Sequence, residues 1–284
     1  MKKQKIFVIG GPTASGKSSL AIRLAMKLDG CVVNADSIQV YQDLRVLSAR
    51  PSNQEMQGIP HHLFGYVDAW TNPSLADWLT KAGEMLPTLQ KPVVVGGTGM
   101  YLDALINGVS PIPDIDKEVR EKVRKMDLKE VQILMKNATF KDPQRLRRAL
   151  EVKLSTGKTL DYFYALPKKK VVDADFCLIH VLPPREKVCS SCERRFSQML
   201  QEGALDEVRH LNEIRATGGV LKAIGVAEIQ NYLAGGLSKE EMIQKAVTAT
   251  RQYAKRQMTW FRHHGQPRHV VSNVASISIR EITK

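Results

Sequence analysis

The sequence predicts an α/β fold: a parallel sheet with helices on both faces and an inserted all-helical subdomain. Three observations carry this. Short apolar runs alternate with helical periodicity in the first part of the chain, and an apolar run returns after residue 170. A glycine-rich turn joins the first run to the first helix, in "KIFVIGGPTASGKSSL". From about 114 to 170 the texture becomes polar, charged and helical, with no convincing strand. Short buried strands separated by helices imply a parallel sheet covered on both faces.

Taken in order, "KIFVIG" (5–10) reads as a buried strand and "KSSLAIRLAMKL" (17–28) as a helix. "GCVVNAD" (30–36) is a second strand ending in Asp36. "SLADWLTKAGEMLPTLQ" (74–90) opens with an S-x-x-D capping pattern and reads as helix. "KPVVVGG" (91–97) and "DFCLIHVL" (175–182) complete the visible strands. The helical stretch 114–170 lies between two plausible hinges, "PIPD" and "LPKKK", which leaves 1–113 and 171–284 as the sheet domain. Near the C-terminus, "SKEEMIQKAVTATRQYAKRQMTWFRHH" carries a capping box, Ser238 with Glu241, and an apolar stripe of Val247, Ala254, Met258 and Phe261.

The chain has 284 residues, of which 43% are hydrophobic and 6% aromatic, enough for a sizeable core and more typical of an α/β enzyme than a β-sandwich. Its net charge of +13 suits a polyanionic partner, nucleic acid before anionic membrane, and on charge alone suits a basic but otherwise ordinary enzyme equally well. Cys189 and Cys192 form a lone C-x-x-C with helical flanks and no second pair, which argues against a metal or thioredoxin-type site. Sparse cysteines suit a reducing cytoplasm. The N-terminal apolar run is too short for a signal peptide, and no stretch approaches membrane-spanning length. A cytoplasmic monomer without membrane contact is the expectation.

Gly11, Gly16, Lys17 and Ser18 match G-x-x-x-x-G-K-[ST], so the expected sheet is P-loop NTPase-like. The glycines let successive N–H groups face one anion, and the following helix directs its positive dipole end at it. Lys17 adds a full charge, and the Ser18 hydroxyl can ligate Mg²⁺. A nucleotide hydrolase also needs an acid at the end of another strand. After "KPVVV" stands "GGTGMY", with no acid. The one well-placed carboxylate is Asp36. A diphosphate that leaves as a group, rather than one that is hydrolysed, fits this set, with Asp36 as base for the attacking group. The competing role for Asp36 is a strand-end cap or a partner of Mg²⁺ through water.

The chain resembles the tRNA dimethylallyltransferase (tRNA isopentenyltransferase) family. The resemblance rests on "GPTASGKS" (11–18), "ADSIQVY" (35–41), "PHHL" (60–63), "VVVGGTGMY" (93–101), "DPQRLRRALEV" (142–152), "STGKTL" (155–160) and "TRQYAKRQMTWFR" (250–262), in the family's order over nearly the whole chain. It implies transfer of a dimethylallyl group from dimethylallyl diphosphate to N6 of the adenosine 3′ to the anticodon, in tRNAs reading codons that begin with U. On that resemblance Gly11, Thr13, Ala14, Ser15, Gly16, Lys17 and Ser18 would cradle the diphosphate with Mg²⁺, and Arg195 would clamp it. Asp36 would be the general base, and Thr98 would contact the target or the developing charge. Ser37, Ile38 and Gln39 would line the channel around a flipped adenine, and Arg120, Gln144, Arg145, Leu146, Arg147 and Arg148 would contact the anticodon-loop RNA. The chain departs from the family pattern at "AIGVAE" (223–228), where Val226 and Ala227 replace an aromatic and usually a cation.

Part of this has independent support. An adenine amino group inside a stacked loop must be extruded before it can react. Lys141, Arg145 and Arg148 share one helical face, while Leu146, Leu150 and Leu154 are expected to form a buried stripe on another. Arg251, Lys255 and Arg262 form a second cationic stripe, with Tyr253 and Trp260 read as core, and His61 and His62 read as structural. Two alternatives use the same loop: a P-loop small-molecule or nucleoside kinase, and an isopentenyltransferase acting on free adenine nucleotides. Neither accounts for the cationic helix.

Overall fold

The computed structural model describes residues 3–283. Its parallel sheet contains β1 (Lys5–Gly10), β2 (Cys31–Asn34), β3 (His61–His62), β4 (Pro92–Gly96), β5 (Asp175–Val181) and β6 (His269–Val271), in the order β3-β2-β4-β1-β5-β6. The edge strands β3 and β6 escape sequence reading because they have two and three residues and no apolar run. The register pairs Gly10 with Gly96 and with His180, and Asn34 with Val95. The strands therefore end nearly level. The loops after β2, β4 and β1 emerge side by side at the carboxyl edge, where open α/β sheets bind ligands.

The chain divides into two compact units, Met1–Ile106 with Val171–Lys284, and Asn107–Lys170. In the first, α1 (Lys17–Leu28) buries Leu20, Ala21, Leu24 and Ala25 against Phe7, Ile9, Val93 and Ile179 of the sheet. The single turn α2 (Asn53–Met56) starts at a Ser52–Glu55 capping box. Next, α3 (Leu75–Met85) starts at the Ser74–Asp77 box. It passes into a 3₁₀ turn at Leu86–Thr88, two residues or so short of the expected end, because Pro87 has no N–H for a further α-helical bond. α4 (Gly99–Asn107) follows β4 after two residues.

The second unit holds α5 (Lys117–Lys125), α6 (Leu128–Leu134), α7 (Pro143–Thr156) and α8 (Leu160–Tyr164). It begins at Asn107 rather than at the expected 114, because its chain ends are tied by an antiparallel bridge. Val109 N–H donates to Lys169 O at 3.0 Å and Lys169 N–H to Val109 O at 2.9 Å. Leu146, Ala149, Leu150 and Val152 of α7 fill its core. Leu154 is 47% exposed, contrary to the expected stripe. Four-residue steps rotate about 40° each around a helix, so by Leu154 the stripe has turned away and Val152 takes the buried side.

The remaining helices return to the first unit: α9 (Arg185–Gln201), α10 (Ala204–Glu213), α11 (Val226–Leu233), α12 (Lys239–His263) and α13 (Ile279–Thr283). The Ser238–Glu241 box caps α12, and Val247, Ala254, Met258 and Phe261 are buried along it. Val226 lies in the core cluster with Tyr41, Leu47, Val208 and Met242, which gives its apolar character a packing reason.

Candidate active site

Gly16 caps α1 with φ 86°, a left-handed conformation that L side chains rarely adopt. The turn folds the loop back so that Lys17 is buried and its Nζ donates to Pro12 O at 3.2 Å. Burial pulls the Lys17 ammonium down to about 8, against the raising pull of the Asp36 charge, and Arg195 lowers it further. Ala14 also takes a positive φ, of 59°. The Ser15 hydroxyl is buried without a protein partner, whereas Ser18 is exposed on the first turn of α1. Gly11 answers a packing need: a Cβ there would stand 2.5 Å from Val181 O.

Asp36 sits two residues beyond β2, and Asn34 fixes it. Asn34 Oδ1 accepts the Asp36 N–H at 2.9 Å, and its Nδ2 donates to Asp36 O and Leu63 O at 3.0 Å each. Asp36 Oδ1 accepts the Ile38 N–H at 3.0 Å. Its Oδ2 lies toward Gly97, 3.3 Å from where a Cβ would be. Thr98 Oγ1 accepts the Ser37 N–H at 3.1 Å, so the loop after β4 braces the loop after β2.

Arg195, from α9, donates to Thr13 Oγ1 at 3.3 Å. Burial lowers its pKa and the Asp36 charge opposes that. Lys17 and Arg195 are therefore two desolvated cations around one carboxylate, an arrangement that calls for an anionic ligand. Tyr253, from α12, sets its phenol beside Thr98 and Gln257. Burial, then the Asp36 charge, pushes its phenol well up, so it stays a neutral O–H group.

Thr13, Asp36, Ser37, Arg195 and Tyr253 line a cavity of about 400 Å³ together with apolar Ile38, Leu47, Phe196, Met199 and Ile224. A charged end group and a short hydrocarbon can both be satisfied there. Gln39 does not line it. Its Nε2 donates instead to Ser48 O at 3.1 Å and Ala49 O at 3.0 Å, so it holds backbone rather than ligand. Thr98 likewise stands behind the lining residues, bonded to Ser37.

The IPP transferase family model matches residues 39–264, and an isopentenyl transferase model matches 4–69. The chain belongs to the IPP transferase family. It is 46% identical over 279 residues to the tRNA dimethylallyltransferase of Rhizobium etli, covering 92% of this chain and 94% of the relative. It is 40% identical to the enzyme of that name from Zymomonas mobilis, over 92% and 89% of the two chains. Among solved structures it is similar to the full-length tRNA isopentenylpyrophosphate transferase of Bacillus halodurans, at 28% identity and TM-score 0.72, over 99% of this chain and 94% of that one. A eukaryotic dimethylallyltransferase described as acting on tRNA superposes at TM-score 0.78 and 29% identity, over 91% and 70% of the chains.

In this member of the IPP transferase family, Arg120, Gln144, Arg147 and Arg148 line one groove of the 107–170 unit with Glu121, Arg124 and Glu151. Two residues expected at an RNA surface are otherwise occupied. Leu146 is buried in the unit's core. The Arg147 guanidinium donates to Val123 O and to Met126 O, closing the C-terminus of α5. Arg148 pairs with Glu151 at 3.2 Å, and Arg145 is exposed outside the groove lining. Arg124 joins the groove from a periodicity that gave no reason to single it out.

Along α12, Arg251 pairs with Glu193, while Lys255, Arg256, Trp260 and His263 line an open groove. Tyr253 belongs to the site rather than the core. Gln257 was not foreseen at all. Four-residue spacing from Tyr253 was the available signal, obscured by the surrounding cations. Asn34 was hidden inside an apolar strand. His61 and His62 pair with β2 as edge residues, and no cluster of three metal-ligating side chains occurs among the described residues.

Proposed function

We propose that the chain transfers a dimethylallyl group from dimethylallyl diphosphate to N6 of the adenosine 3′ to the anticodon, in tRNAs reading U-starting codons, with release of diphosphate. The single observation that carries the chemistry is a cavity in which the desolvated Arg195 meets the Asp36 carboxylate and an apolar wall, with the buried Lys17 of the phosphate loop acting on the same carboxylate from behind the lining. The relatives' names supply the acceptor. Neither a kinase nor a free-nucleotide prenyltransferase is favoured by them.

Lys17, Arg195 and the loop N–H groups hold the diphosphate and neutralise the charge that builds as the C–O bond breaks. The apolar wall receives the prenyl group and keeps water from the allylic carbon. The amino nitrogen attacks that carbon, and Asp36 Oδ2 takes the proton. Thr98 orients the Asp36–Ser37 segment through the Ser37 N–H bond described above. The diphosphate then leaves with both negative ends still bound.

Mg²⁺ fits this site on one condition. The exposed Ser18 hydroxyl would be an oxygen ligand beside the loop, and among the described residues no cluster of three metal-ligating side chains stands ready, so the ion would be held mainly by diphosphate oxygens and water. When bound it would neutralise the leaving group's charge.

The groove of Arg120, Arg124 and Arg148 would take RNA phosphates. The working unit is taken as a monomer, and a tRNA substrate with four free cysteines supports the cytoplasm. Among the described residues no helix is long and apolar enough to cross a membrane. The test is incubation with labelled dimethylallyl diphosphate or ATP, offering unmodified tRNA, adenine nucleotides or small hydroxyl metabolites. Label on any acceptor other than tRNA overturns the reading.

A further inference from the structure

The segment 44–49 is held from both sides by groups the reaction does not use. Glu207, on α10, reaches across to it. Its Oε1 accepts the Arg45 and Val46 N–H groups at 2.7 and 2.6 Å, and its Oε2 accepts the Leu47 N–H at 3.0 Å. Three successive amides converging on one carboxylate form an anion nest, filled here by the protein itself. On the other side Gln39 binds the Ser48 and Ala49 carbonyls. Ala49 has a φ of 53°, a conformation that needs outside support in a residue with a side chain.

The geometry behind Glu207 is firm. Val208 and Leu211 of the same helix are buried in one core cluster with Val46 and Leu47. Arg50 is desolvated near Glu207, whose charge favours the guanidinium's protonated form. What the segment presents on its far side is Leu47, Ser48 and Ala49, all lining the 400 Å³ cavity beside Phe196 and Met199.

We propose that Glu207 is a positioning residue for the prenyl donor: it sets the wall of Leu47–Ala49 against which the donor's hydrocarbon packs. This rests on reading the cavity as the donor site. A carboxylate is needed rather than an amide. In Glu207→Gln the one remaining oxygen can still serve Arg45 and Val46, but the NH₂ faces the Leu47 N–H, donor against donor. The amide released is that of the residue whose side chain touches the cavity.

The experiment titrates the full-length protein with dimethylallyl diphosphate and, separately, with inorganic diphosphate. The wild type should prefer the prenylated ligand, because only that one reaches the apolar wall. Glu207→Gln should cut this preference about five- to tenfold, with inorganic diphosphate bound within about twofold of wild type. An unchanged preference, or equal weakening of both ligands, overturns the proposal, since loosening of the fold would move both alike. Should Glu207→Gln not fold, Leu47→Ala, which leaves the nest intact, must show the same selective loss, and an unchanged preference there overturns it equally. A wild type that binds both ligands equally refutes the donor-site reading itself, whatever Glu207 does.

Discussion

Gln257 accepts the Thr13 N–H at 2.8 Å, joining the middle of α12 to the phosphate loop across 244 residues of sequence. The same side chain donates to Gly97 O at 2.8 Å. A Cβ at residue 97 would stand 2.4 Å from its Nε2, so glycine there is what lets the amide in. One buried side chain thus fixes the phosphate-type loop relative to the loop that braces Asp36.

Gln257→Leu should therefore destabilise the protein by about 1–3 kcal/mol, because Thr13 N–H and Gly97 O lose their partner. Urea unfolding measures this. Single-turnover transfer at saturating substrates should also fall by about tenfold or more, since donor and base lose their mutual register. A normal rate in a destabilised variant would show that Gln257 serves the fold alone.

Lys17, held at about 8 by burial, gives a pH dependence of defined sign. The folded-state pKa lies below the unfolded value of 10.5. The empty protein is thus penalised for keeping this group charged below about 8, and gains stability as pH rises from there toward 10.5. Donor affinity runs the other way. It needs the ammonium and should weaken above pH 8, by at most about tenfold per pH unit. Lys17→Ala should bind dimethylallyl diphosphate weakly with a flat profile, and tRNA nearly as well as wild type. Equal losses for both ligands would argue against separate sites.

Asp36→Asn keeps the oxygen that accepts the Ile38 N–H, so the loop should hold its shape. It cannot take a proton. The chemical step should slow by about 10²–10⁴-fold, while each substrate's affinity changes by less than about tenfold. Single-turnover kinetics over a Mg²⁺ series decide the role. Recovery of the rate at high Mg²⁺ would make Asp36 a metal partner rather than a base.

The 107–170 groove predicts a division among its arginines. Replacing Arg120 and Arg124 together by Gln should flatten the slope of log affinity for tRNA against log salt by about two units. Arg147→Gln should mainly destabilise its unit, because that guanidinium is spent on the Val123 and Met126 carbonyls. A slope unchanged in the double variant would remove the groove from the RNA interface.

The phosphate loop, the strand before it and the helix after it could be read from residues 5–28 because that chemistry is local. A glycine at φ 86°, a buried strand and a lysine at a fixed offset need no distant partner to be recognised. The same holds for Asp36 after its strand, for the capping boxes at Ser74 and Ser238, and for the helical texture of the insertion. Periodicity also placed Leu146 and Leu150 correctly on a buried face. It could not say that Leu154 had rotated out, because that depends on which helices lie alongside α7. Nor could it tell an arginine that faces solvent from Arg147, which closes another helix. The bonds of Gln257 to Thr13 and Gly97, of Glu207 to the amides of 45–47, and of Thr98 to Ser37 join elements far apart in the chain. A polar side chain's partner is set by where the fold brings it, so local residues determine the anion-binding loop and its candidate base, and tertiary structure alone decides which residues hold them in register and wall the cavity beside them.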